Sequence, residues 1–304
     1  MNRIRIGTRG SPLALVQAHE ARDRLMAAHG WAADAIEIKT FTTTGDIIRD
    51  RPLSEIGGKG LFTKELEEAL FADVIDLAVH SMKDMPAKMP SGLDVVAYLP
   101  REDARDAFIS FVAPDLKSLP IGATLGSSSV RRTAQALRVR PDLKPVSFRG
   151  NVQTRLQKLQ VGVAHATFLA SAGLNRLGLA DKITSLISMD EMLPAVAQGA
   201  IGLQIKESNA SLRKILAPLN HEATAIAVIC ERGFMAALDG SCRTPIAGHA
   251  TLQNGIIHFR GEALTLDGVH SFTVDCSGAA ADAKRLGYDA GEDVKRRGGK
   301  LIAY

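Results

Sequence analysis

Leu193-Pro194-Ala195-Val196-Ala197-Gln198-Gly199-Ala200, followed by Ile201-Gly202-Leu203-Gln204-Ile205, decides how this chain is organised. The first eight residues are apolar or small and include a proline, and Ile201 to Ile205 then reads as a strand. The segment is a return crossing: the strand adds to a sheet begun near the N-terminus, after an outward crossing at Pro100-Arg101-Glu102-Asp103. Two crossings make a two-lobed clamp with its ligand between the lobes.

Upstream, strands alternate with helices in the pattern of α/β units with largely parallel sheets. Arg3 to Gly7 is a short strand. Thr8-Arg9-Gly10 then turns into a helix opening at Ser11-Pro12, a favoured N-cap followed by the proline favoured at the first helical position. Further strands fit Ile36 to Phe41, Ile75 to Val79 and Leu93 to Leu99. Thr42 to Gly60 has no clear period and is long enough for a mobile functional loop. It ends in Gly57-Gly58-Lys59-Gly60, an ordinary hinge or the hinge of a lid, and leads into a helix with Phe62, Leu66, Ala69 and Leu70 on one face. The spacing of a phosphate-binding P-loop is absent.

The second lobe repeats one device. A strand over Ala123 to Gly126 is followed by Ser127-Ser128-Ser129 as N-caps and a helix from Val130, with Arg131 and Arg132 in its first turn. A strand over Val146 to Arg149 is followed by Gly150-Asn151 and a helix carrying Arg155. Arg9 stands the same way in the first lobe; Arg176, in a helix opened by Ala172-Gly173-Leu174-Asn175, is a weaker case. A cation at a helix N-terminus is unfavourable, because the macrodipole there is already positive. One such arginine is as readily a solvated surface charge. The set reads as anion sites, where backbone N–H groups, serine hydroxyls and guanidinium forks converge on carboxylate or phosphate.

A third unit begins near Pro218. Glu222 to Leu238 reads as a helix with Ile226, Ile229, Cys230 and Phe234 near the helical period, stopped by Gly240 and Pro245. Cys242 then sits on a turn beside Arg243, where a thiolate forms more easily; alone, such a thiol is as readily an inert half-buried one. Ile246 to Leu252 and Ile256 to Arg260, joined at Asn254-Gly255, form a hairpin. Ser271 to Cys276 adds a third strand, and Asp282 to Arg297 a terminal helix ended by Gly298-Gly299.

At 304 residues the chain has room for two or three domains. Its 46% hydrophobic and 23% charged residues are those of a soluble globular protein and exclude disorder. A net charge of +4, with arginines tied to helix starts and few aromatic residues, argues against nucleic acid as a partner. No apolar run resembles a signal peptide or a membrane span, and three cysteines give no disulfide framework, so a reducing cytoplasm and no membrane are expected. Cys230 and Cys276 read as small core residues, and no Cys/His spacing points to a metal.

Seven stretches, taken in order, resemble the hydroxymethylbilane synthase (porphobilinogen deaminase) family of tetrapyrrole and heme biosynthesis, over nearly the whole chain. They are Ile6-Gly7-Thr8-Arg9-Gly10-Ser11-Pro12-Leu13-Ala14-Leu15, Gly57-Gly58-Lys59-Gly60-Leu61-Phe62, Val79-His80-Ser81-Met82-Lys83-Asp84, Ser128-Ser129-Val130-Arg131-Arg132, Phe148-Arg149-Gly150-Asn151-Val152, Leu193 to Gly202, and the Cys242 loop. The resemblance implies an α/β fold with two lobes like type II periplasmic binding proteins, residues 1–99 with 200–217 and residues 100–199. A small α+β domain, 218–304, carries a three-stranded antiparallel sheet. It further implies a cytoplasmic, monomeric transferase that joins four porphobilinogen molecules head to tail, with loss of ammonia, and releases a linear hydroxymethylbilane. The primer is a dipyrromethane cofactor held covalently on Cys242 through a thioether.

By the same resemblance Asp84 is the catalytic carboxylate. Lys83, Asp84, Ser129, Arg131, Arg132, Arg149, Gly150 and Arg155 hold the cofactor with Cys242. Arg9, Ser11, Phe62, Arg149, Arg155, Arg176 and Gln198 meet the substrate, and Lys59 with Gly57 and Gly58 belongs to the lid over the site. Each pyrrole carries acidic arms, a load that bidentate arginines suit better than lysines. Ser241 stands where the family often has glycine, but the cysteine is kept. The alternative is a two-lobed binding protein for an acidic small molecule, which needs neither Cys242 nor a third domain.

Overall fold

β1 (Ile4–Arg9) buries Ile4, Ile6 and Thr8, and turns Arg5 outward onto Asp76, which accepts from the Arg5 backbone N–H and from two guanidinium nitrogens. The computed structural model describes residues 3–47, 60–240 and 244–302. In chain order there follow α1 (Pro12–His29), β2 (Ile36–Phe41), α2 (Thr44–Ile47), α3 (Lys64–Phe71), β3 (Leu77–Ser81) and β4 (Leu93–Tyr98). As expected, the Ser11 hydroxyl caps α1, accepting from Ala14 N–H, with Pro12 at the first position.

The next stretch holds β5 (Asp106–Ser110), β6 (Thr124–Gly126), α4 (Val130–Val139), β7 (Lys144–Val146), α5 (Val152–Gln160), β8 (Ala166–Ala170), α6 (Ser171–Arg176) and β9 (Ser185–Leu186). Then come β10 (Ile201–Lys206), α7 (Ala210–Leu216), α8 (Glu222–Ala237), β11 (Ile246–Gln253), β12 (Ile256–Leu264), β13 (Ser271–Ala279) and α9 (Ala283–Gly298).

The first sheet has the order β2-β1-β3-β10-β4, so the strand expected at Ile201–Ile205 does return to it. β10 runs antiparallel to both neighbours, with Gly202 opposite His80 and Tyr98. The second sheet has the order β7-β6-β8-β5-β9, again three parallel strands followed by one that opposes its neighbours. The two sheets thus share one plan, that of the type II lobes implied above. They are mixed rather than largely parallel, because β10 and β5 enter from a crossing instead of from a helix packed on the sheet. The third sheet is the meander β11-β12-β13. Its first turn places both Asn254 and Gly255 at positive φ, 50° and 77°, as a two-residue hairpin turn requires.

Two compact units result. One comprises the described residues of 3–47, 60–102 and 199–225, built around Ile6, Leu25, Leu77 and Leu203. The other comprises those of 103–198 and 226–302, with Phe108 and Phe168 in one core and Phe234 against Phe259, ring centroids 5.1 Å apart, in another.

Several elements depart from expectation for local reasons. The strand expected over Val146 to Arg149 ends at Val146, because the Ser128 hydroxyl takes the Phe148 N–H at 2.9 Å and the Phe148 ring turns in against Gly126, where a Cβ would lie 2.6 Å from it. Arg176 ends a six-residue helix instead of opening one, so its charge sits at the favourable end of the macrodipole. Phe62 precedes its helix, in the turn closed by Thr63 N–H on Gly60 O. Cys276 is half-buried rather than core; Cys230 is fully buried, and burial together with Glu231 pushes its thiol up to about 12.

Candidate active site

β1 and β3 lie side by side in parallel, so the residues leaving their C-terminal ends share one edge of the first sheet. From β1 comes Arg9. From β3 comes the single turn Met82–Asp84. Met82 is buried, donates its N–H to Ala200 O and packs on Gly202, where no side chain would fit beside its sulfur. That anchor leaves Lys83 and Asp84 half-buried at the rim.

The Arg9 guanidinium organises the rim. Nη2 and Nε bind the two carboxylate oxygens of Asp46 at 2.5 and 3.1 Å, while Nη1 reaches Asp84 Oδ2 at 3.5 Å. Its Cζ stands 4.3 Å from the centre of the Phe62 ring, a cation–π contact. Burial alone would raise Asp46, but Arg9 and the Thr43 hydroxyl hold it below the ordinary carboxylate range. Burial alone would lower Arg9, yet Asp46 and Asp84 raise it. Arg9, Ser11, Gln17, Phe62, His80, Ser81, Lys83 and Asp84 line one recess. The structure therefore brings together the expected Arg9, Ser11, Phe62, Lys83 and Asp84.

The second unit gathers another set. Ser129 caps α4 as expected. Arg131 and Arg132 are buried, and the anion they meet within the protein is Asp106, itself without exposure. Arg131 Nη2 reaches Oδ2 at 2.8 Å, and Arg132 Nη2 and Nε reach Oδ1 at 2.7 and 3.1 Å. Gln198 Nε2 donates to the same Oδ1 at 2.9 Å. Burial would raise this carboxyl, but the two arginines and Gln198 hold it far below the usual range. The first turn of α4 thus tolerates two cations because a buried carboxylate balances them.

Gly150, at φ 121°, permits the approach of Thr154, which a side chain at 150 would strike, and Asn151 caps α5 as expected. Arg155 Nε donates to Gly150 O at 2.9 Å, and Arg149 is buried beside Lys158, whose ammonium binds its carbonyl. Cys242, Lys59, Gly57 and Gly58 lie outside the described residues.

Sequence reasoning missed Asp46 and Asp106, the partners of the arginines it singled out. Asp106 left a trace, an acid opening the apolar run Ala107-Phe108-Ile109; Asp46 was one of several charges in a segment without period.

Comparison with known families decides the kinship. Residues 4–214 match the model described as "Porphobilinogen deaminase, dipyromethane cofactor binding domain", and residues 225–296 match "Porphobilinogen deaminase, C-terminal domain". The chain belongs to the porphobilinogen deaminase family. A porphobilinogen deaminase from Paracoccus denitrificans is 57% identical over 296 residues, covering 97% of this chain and 95% of that one. A chloroplastic porphobilinogen deaminase from Oryza sativa is 53% identical over 301 residues, covering 97% of this chain and 84% of that one. Among solved structures, a periplasmic substrate-binding protein of an ABC transporter from Coxiella burnetii aligns at 15% identity and a TM-score of 0.43, over 73% of this chain and 94% of that one. Among the described residues, no helix is long and apolar enough to cross a membrane and no group of His, Cys, Asp or Glu could hold a metal ion.

Proposed function

We propose that this chain carries out the reaction of its family, joining four porphobilinogen molecules head to tail with loss of ammonia and releasing a linear hydroxymethylbilane. The observation that carries the reading is Asp84, a half-exposed carboxylate on a recess flanked by the cations Arg9 and Lys83 and the Phe62 ring. The donor set suits dipyrromethane: cations and the Ser11 hydroxyl for acidic arms, and an acceptor for pyrrole N–H groups. When bound, through a thioether to Cys242, dipyrromethane supplies the free pyrrole carbon at which each new unit is joined.

Each condensation breaks a C–N bond and forms a C–C bond. Asp84 stabilises the positive charge that develops on the substrate as ammonia leaves, and accepts the proton released when the new bond is made. Arg9 and Lys83 hold acidic arms, with charge-assisted bonds that fix orientation. Phe62 offers a flat apolar face for the incoming ring. Arg149, Arg155 and Arg176 are further cations for a growing polyanion, and Ser129 and Gly150 shape the turns that present them. Arg131, Arg132 and Gln198, tied to Asp106, hold the second lobe in shape beside any ligand they meet.

The division into residues 1–99 with 200–217, 100–199 and 218–304 belongs to the same proposal, supported by the return of β10 to the first sheet. So do a cytoplasmic location and a monomeric state. The test is direct: porphobilinogen supplied to the purified protein should yield four ammonia molecules per linear tetrapyrrole, and porphobilinogen left intact overturns the reading.

A further inference from the structure

His80 lines the recess but has no task in the chemistry above. It lies on β3 and is 4% exposed. Its Nε2 sits 2.8 Å from Gln204 Oε1, on the neighbouring strand β10. The orientation of that amide fixes the tautomer. Gln204 Nε2 faces Met89 Sδ at 4.0 Å, so the nitrogen is turned toward the sulfur and the oxygen toward His80. A carbonyl oxygen only accepts, so His80 Nε2 carries the proton and Nδ1 keeps the lone pair. Among the described residues the hydrogen bond seen for the ring is that of Nε2, and none is seen for Nδ1. The charged groups sharing the recess are Arg9, Lys83 and Asp84. Burial, with Arg9 adding to it against Gln204, pushes the imidazole down to about 4.

We infer that His80 Nδ1 is an uncharged acceptor that orients the ammonium of the incoming aminomethyl pyrrole, with Gln204 holding the ring in the required tautomer. The inference rests on the condensation reading of the site. An acceptor this weak does not take the proton from an alkylammonium, which must leave as ammonia with its bonding pair and therefore has to stay protonated until the C–N bond breaks. A carboxylate in the same place would pair with the ammonium and lose its freedom to serve the pyrrole N–H. His80 and Asp84 thereby divide the ammonium and the pyrrole N–H of one substrate between them.

Nitrogen-15 NMR of the imidazoles in the wild-type holoprotein tests the tautomer without any turnover. His80 is expected as the neutral Nε2–H form, with no titration between about pH 6 and 8; an imidazolium or an Nδ1–H form there overturns the inference. The second arm compares His80→Phe with His80→Asn, whose Oδ1 takes the place of Nδ1, each first checked by mass for a loaded cofactor. His80→Phe should lower kcat/KM about tenfold or more, and His80→Asn should recover most of the loss. Equal loss in both, or none in His80→Phe, overturns the acceptor role. A wild-type protein that releases no ammonia from porphobilinogen sinks the reading of the site instead, and the NMR result still decides the tautomer.

Discussion

Arg9 reaches Asp84 only at 3.5 Å, because its close partner, at 2.5 Å, is Asp46. The unequal sharing has a chemical use. A guanidinium clamped on Asp84 would occupy the carboxylate oxygens, whereas one held to the side by Asp46 leaves them open to a ligand.

Asp84→Asn keeps the shape and removes the charge. Turnover is expected to fall by about two orders of magnitude or more. Stability should change by less than about 1 kcal/mol, since the ion pair is long and 30% of the Asp84 side chain is exposed. Ammonia release and denaturant midpoints measure the two effects. Near-normal turnover removes Asp84 from the catalytic role.

Asp46→Asn should show its effect in the pH dependence of unfolding. The folded-state pKa of Asp46 lies below its ordinary value, chiefly through Arg9 acting against burial. A depressed carboxylate contributes stability above its unfolded pKa, about 3.9, and loses it as pH falls through the folded value. The wild type should therefore exceed the variant by about 1 kcal/mol at pH 7, with the gap narrowing below about pH 4. A gap that widens in acid contradicts the pairing.

Asp106→Asn leaves two buried guanidinium groups facing a neutral amide. Breaking a buried ion pair from one side costs about 3–5 kcal/mol. The urea midpoint should fall accordingly, and a loss under about 1 kcal/mol would show that Arg131 and Arg132 do not depend on Asp106.

Arg149→Ala and Arg155→Ala should stall growth of the chain, so that species short of four added units accumulate on the protein and are seen by mass. Unchanged product kinetics in both variants reduce these arginines to structural roles.

The fold was legible where side-chain patterns and turn chemistry agreed. Ser11-Pro12 started its helix, Asn254-Gly255 made its hairpin, and the apolar run from Ile201 returned to the first sheet. It was misread where one residue pair overrode the pattern: Phe148 looks like strand until it turns in against Gly126. The site was half legible. Helix-start arginines announce an anion, but not whether that anion belongs to a ligand or to the protein, and Asp106 lies 25 residues before Arg131. Asp84 and Lys83 stood out only through the family resemblance. Their exposure depends on the burial of Met82 against Gly202, a contact that appears only once β10 has returned to the sheet.

The central claim, that this chain works on a covalent dipyrromethane tethered by Cys242, is tested most directly by intact mass. Wild-type protein should carry an increment equal to two linked pyrroles, and Cys242→Ser should lack both the increment and activity. A wild-type protein that is active yet unmodified would contradict the account.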